Sequence, residues 1–86
     1  MHEKPMERFI ELITQRYKEK KAPLSIVDVG CGYGKQAYNM KKRLEANGVE
    51  IEKFYGYDIS ADLIQIANEK YGSEPKMGYF KKNLDT

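Results

Sequence analysis

Two acids and three glycines are the residues whose types and spacing could do chemistry: Asp28, then Gly30, Gly32 and Gly34 at alternate positions, and Asp58 further on. The glycines strip one side of a loop of Cβ atoms, so main-chain N–H groups and a ligand can approach each other. The helical pattern KQAYNMKKRLEANG follows, and its first turn aims unsatisfied N–H groups and a positive dipole end at the same loop. Asp58 closes the next apolar segment in the context GYDIS. A carboxylate there can accept two hydrogen bonds from the vicinal hydroxyls of a ribose. This is the chemistry of holding a nucleoside rather than of breaking a bond. No nucleophile is assembled, since Cys31 stands between glycines and the single histidine, His2, lies at the terminus.

These residues must be positioned by regular elements. Leu24 to Val29 reads as a buried strand with β-branched Ile26, Val27 and Val29. A crossover helix is predicted over about Gly34 to Asn47, with Ala37, Met40 and Leu44 inward and Gly48 as its stop. The second strand spans about Glu52 to Tyr57. Ser60 is a good N-cap for a third helix with Leu63, Ile64, Ala67 and Tyr71 inward and Gly72 at its end. A third strand covers about Lys76 to Asn83, with Met77 and Tyr79 inward. Ahead of all this, Met6, Phe9, Ile10, Ile13 and Tyr17 form one stripe of an amphipathic helix over Pro5 to Lys20, ended by Ala22-Pro23.

Right-handed crossovers arrange such strands in the order 3-2-1 with both crossover helices on one face. The expected fold is therefore α/β: an N-terminal helix, residues 1–23, and β-α-β-α-β, residues 24–86, forming half of a doubly wound parallel sheet. The other face is bare, and the strand bearing the glycines stands at an edge although its sequence is apolar throughout. Either a C-terminal half is missing, or two copies cover each other's open surface as a homodimer.

An 86-residue chain makes one small domain. Its apolar fraction of 41% and charged fraction of 33% describe a globular protein, and no apolar run is long enough for a membrane span. MHEKPMERF contains no signal-peptide core, and the single cysteine cannot form an internal disulfide, so a cytoplasmic location is expected. A net charge of +2 does not argue for nucleic acid. The clusters Lys20-Lys21, Lys41-Lys42-Arg43 and Lys81-Lys82 read as solvated faces.

The dinucleotide fingerprint G-x-G-x-x-G needs a third glycine where Lys35 stands, so G-x-G-x-G fits a pyrophosphate site imperfectly. VDVGCGYG instead resembles the first motif of the class I, Rossmann-like, S-adenosylmethionine-dependent methyltransferases. The likeness runs from about residue 24 to 85 and is most specific at 27–34 and 56–60. The resemblance implies that Gly30, Gly32 and Gly34, with Cys31 between them, floor the methionine part of S-adenosyl-L-methionine. It implies that Asp28 lies near the cofactor's amino group, although Asp28 could instead hydrogen-bond the loop backbone. Asp58 matches the ribose-binding acid and Ile59 the apolar residue against adenine. Asn83, or Asp85 two residues on, would meet the adenine amino group. In that family the acceptor-binding groups lie mainly beyond the fourth strand. The chain is thus expected to be the cofactor-binding, N-terminal half of a methyltransferase, inactive alone, with S-adenosylmethionine or S-adenosylhomocysteine as ligand and an unspecified methyl acceptor. Two rival readings are a non-catalytic adenosine-ligand module that dimerises through its open sheet, and a fragment of an NAD-dependent oxidoreductase, against which Lys35 argues.

Overall fold

A computed structural model describes residues 5–82. The order of elements is α1 (Pro5–Lys20), β1 (Leu24–Val29), α2 (Lys35–Ala46), β2 (Ile51–Asp58), α3 (Ala61–Tyr71) and β3 (Met77–Lys81). The three strands are parallel in the order β1-β2-β3, the expected half of a doubly wound sheet. The local signals explain the boundaries. Ser60 Oγ accepts the Leu63 N–H at 3.2 Å and caps α3. Gly48 follows α2 at φ 85°, where a side chain would be strained. Helix α1 ends at Lys20 as expected, but Lys21, at φ 54°, already turns the chain before Pro23 is reached, and its N–H donates to the Tyr17 carbonyl. Gly72 ends α3 without a left-handed turn, at φ −66°.

Alternation along the strands separates two faces. Phe54, Ile51 and Tyr79 point to the helical side and join Ala37 and Leu44 of α2 and Ile64 and Ala67 of α3 in one buried core. The opposite face carries Val27, Val29 and Phe80, all exposed, with Tyr55 and Tyr57 half-buried between them. Register places Val27 beside Tyr55, Val29 beside Tyr57 and Tyr57 beside Phe80, so these apolar side chains form one continuous uncovered surface. Among the described residues, the outer edge of β1 pairs with no other strand. Helix α1 packs on α2 through a stripe centred on buried Ile10, with Met6, Ile13 and Tyr17 beside it. Between α1 and the β1 side of the sheet lies a cleft of about 230 Å³, lined by Phe9, Ile13, Ile26, Val27, Asp28, Met40 and Phe54.

One expectation fails. The Lys41-Lys42-Arg43 run is not a uniformly solvated face: Lys41 is only 1% exposed and takes a place on the inner side of α2, whereas Met40 is merely half-buried. Its ammonium lies 2.9 Å from both Glu45, one turn on, and Glu74, in the connection between α3 and β3. Burial favours the neutral amine, but the Glu45 and Glu74 hydrogen bonds outweigh it and hold the Lys41 pKa above its ordinary value. Lys42 reaches Glu74 from the solvent side at 3.3 Å. Spacing along α2 could not reveal this, because the deciding carboxylate is distant in sequence.

Candidate functional site

Leaving β1, the chain makes a tight loop over the C-terminal ends of β1 and β2. The Gly30 and Cys31 N–H groups both donate to the Tyr57 carbonyl, at 2.6 and 3.0 Å, and the Gly32 N–H donates to Asp58 Oδ2 at 2.9 Å. The Gly34 N–H closes the turn on the Cys31 carbonyl at 3.1 Å. These four amides therefore turn inward, contrary to the expectation that the glycine loop would offer its N–H groups to a ligand. The first-turn N–H groups of α2, on Lys35, Gln36 and Ala37, lie outside the helix's own ladder, because its first internal bond runs from the Tyr38 N–H to the Gly34 carbonyl.

The glycines divide by role. A Cβ on Gly30 or Gly32 would meet nothing within 4 Å, so both border open space. A Cβ on Gly34 would come within 2.9 Å of the Tyr79 ring and 3.0 Å of Ala67, so Gly34 is where the loop packs on β3 and α3. Cys31 faces inward as well. Its side chain is buried beneath the loop, where a Cβ on Gly56 would lie 2.9 Å from Sγ. Burial, followed by the nearby charges of Asp28 and Asp58, pushes the Cys31 thiol up to about 11, which keeps it protonated at neutral pH. Tyr79, read from the sequence only as an inward strand residue, supports the loop directly: its hydroxyl donates to the Gly34 carbonyl at 3.4 Å. The signal for this contact was Gly56, an isolated glycine inside a strand, which marks close approach from above the sheet.

The two acids also differ in their surroundings. Asp58 accepts from Gly32 through Oδ2 and from the Ser60 N–H through Oδ1, both at 2.9 Å, and so ties the glycine loop to the β2–α3 turn. The Ser60 and Gly32 hydrogen bonds hold its carboxyl below the usual aspartate value. Asp28 is half-buried in the α1–β1 cleft, and among the described residues no side chain or N–H group hydrogen-bonds its carboxylate. Desolvation alone raises its pKa. Fixing the loop, the alternative role considered for Asp28, thus falls to Asp58. Ile59 is exposed beside Asp58, with 55% of its surface open. Asn83 and Asp85 lie outside the described residues, as does His2. Among the described residues no cluster of His, Cys, Asp and Glu could hold a metal ion, and no helix is long and apolar enough to cross a membrane.

Several solved structures with this arrangement are methyltransferases, and one is the [4+2]-cyclase SpnF. The chain is similar to the CMeT domain of the citrinin polyketide synthase, with 25% identity and a TM-score of 0.75 over 94% of this chain and 22% of that one. It is 30% identical to the plantazolicin methyltransferase BpumL, solved with a triazolic desmethylPZN analog and SAH, with a TM-score of 0.62 over 98% of this chain and 31% of that one. SAM-bound CalS10, an amino pentose methyltransferase from Micromonospora echinaspora, shares the fold at 15% identity and a TM-score of 0.59, over 96% of this chain and 31% of its own. The chain thus spans less than a third of the length of these structures. A search of curated proteins finds no match. The profile of the family described as "Methyltransferase domain" matches residues 20–79, from the end of α1 into β3, and on that match the chain belongs to this methyltransferase family.

Proposed function

We propose that this chain is the S-adenosylmethionine-binding portion of a methyltransferase. The observation that carries the reading is a pair of carboxylates near the C-terminal ends of adjacent strands: Asp58, bound to the Gly32 N–H, and Asp28, two residues before Gly30 and without a hydrogen-bond partner among the described residues. A desolvated, unpaired carboxylate gains most from a cation, and the cofactor's methionine ammonium is one. Its carboxylate suits the first-turn N–H groups of α2. Asp58, with one backbone N–H on each oxygen, keeps lone pairs for the two ribose hydroxyls. Ile59 would pack on the adenine, with Asn83 or Asp85 meeting its amino group.

When bound, the cofactor supplies an electrophilic methyl on a sulfonium. The protein's part is to hold that methyl in line with an acceptor and to exclude water. The residues described here hold the cofactor only; no acceptor pocket or general base accompanies them. The chain is accordingly proposed to be inactive alone, with acceptor-binding groups supplied by a C-terminal half that also covers the open face. Calorimetric titration with S-adenosylhomocysteine tests the reading: saturable binding at one site is expected, and no heat at millimolar ligand would refute it. Light scattering on the same sample distinguishes a second reading, favoured by exposed Val27 and Val29, in which two copies pair as a non-catalytic adenosine-binding module.

A further inference from the structure

We infer that the cleft between α1 and β1 is a ligand site separate from the glycine loop, fitted to a small apolar ammonium: a ring-sized hydrocarbon body whose protonated amine pairs with Asp28. None of Gly30 to Gly34, Asp58 or Ile59 lines this cleft. Its walls come from α1, β1, α2 and β2, with fully buried Phe54 on one side and Phe9, 57% exposed, on another. Met40 belongs to the inward stripe of α2 yet stays half-buried, as a lining residue of this opening. Asp28 is the one charged residue of the lining, and no Lys or Arg among the described residues lies within ion-pair distance of it.

Size and charge together select the ligand. An apolar cavity of about 150 Å³ holds benzene, and drug-sized molecules occupy roughly 300 to 1,000 Å³. At about 230 Å³ the cleft therefore suits one ring with a short arm. A carboxylate among apolar groups gains most from a charged donor, gains less from a hydroxyl, and repels an anion. Desolvation already raises the Asp28 pKa, and a paired ammonium offsets that cost. The inference goes beyond the cofactor reading, which brings a different ammonium to the same carboxylate. Two ammonium groups beside one carboxylate repel each other, so an amine in the cleft should weaken cofactor binding.

Titration of the chain with phenethylamine, phenethyl alcohol and hydrocinnamate at neutral pH tests this, followed through the methyl resonances of Ile13, Ile26 and Met40. All three methyl sets should shift saturably with the amine. The amine should bind at least about tenfold more tightly than the alcohol, and the anion more weakly than either. In Asp28→Asn the amine should fall to within about twofold of the alcohol, whose own affinity stays as in the wild type. An alcohol that binds the wild type as tightly as the amine overturns the inference, as do shifts confined to Val29 and Phe80 on the open sheet face. Cleft methyl groups unmoved at tens of millimolar amine overturn it as well. The three probes on the wild type decide the matter even where Asp28→Asn does not fold. Amine at twice its own Kd should raise the apparent Kd of S-adenosylhomocysteine about threefold, and an unchanged value overturns the shared use of Asp28. Should S-adenosylhomocysteine not bind at all, the cofactor reading falls, while the amine titration still decides whether the cleft is a site.

Discussion

Asp28 and Gly34 show how single residues divide between binding and folding. Asp28 is kept in a desolvated position without a partner among the described residues, so its ionised form is a burden on the unliganded fold. Its folded pKa is raised, so the folded state binds the proton more readily than the unfolded chain. The penalty is therefore present above the raised value and relieved as pH falls through it. Asp28→Asn should make the unliganded protein more stable at neutral pH, flatten that part of its pH dependence, and weaken S-adenosylhomocysteine binding. Urea titrations at several pH values beside ligand titrations check all three, and a variant that loses stability at neutral pH contradicts the account. Gly34 is the converse case. At φ 90° and with Tyr79 and Ala67 at the limit of contact, Gly34→Ala should cost roughly 2 kcal/mol, or near 10 °C in Tm for a domain of this size. Gly32→Ala, facing open space, should lose less stability, and equal losses would argue against the packing role.

Among the elements, α2 is the one that both the site and the fold depend upon. Its N-terminus faces the site, and its far half is bound to the α3–β3 connection through Lys41 and Glu74. Glu74→Ala would leave the buried Lys41 ammonium with Glu45 as its remaining partner, a loss of roughly 1.5 to 3 kcal/mol if the charged hydrogen bond is worth its usual amount. Glu74 has a lowered folded pKa, so its contribution is present above the ordinary glutamate value of 4.5 and disappears as pH falls through the lowered one. The wild type should therefore lose stability on acidification below about 4.5 by more than Glu74→Ala does, and denaturation at acid and neutral pH measures the difference. The element boundaries were legible in the sequence because their causes are local: β-branched residues before a glycine loop, Ser60 as a cap, Gly48 past a helix end. The burial of Lys41 and the Asp58–Gly32 bond were not legible, because each is fixed by a partner brought near only by the right-handed crossover. Lys21 in the left-handed region was hidden for another reason, since Pro23 already offered a sufficient stop.

At the scale of the whole molecule, the described residues cover the parallel sheet on one face only. Parallel strands are stable when buried on both sides, and β1, the strand that leads into the site, has neither its outer face nor its outer edge protected. The sequence made this visible in advance, because every other residue of Ile26 to Val29 must point away from the helices, yet those positions are valines. Exposed Val27, Val29 and Phe80 join the half-buried Tyr55 and Tyr57 in a contiguous apolar surface, the kind of surface that favours association in water. Val27→Thr with Val29→Lys should reduce concentration-dependent association in light scattering. The stability of the dissociated chain should change by less than about 0.5 kcal/mol for each substitution, because both side chains are already in solvent. If the double variant associates as strongly as the wild type, contacts elsewhere on the molecule hold the copies together and the open face is not the adhesive one.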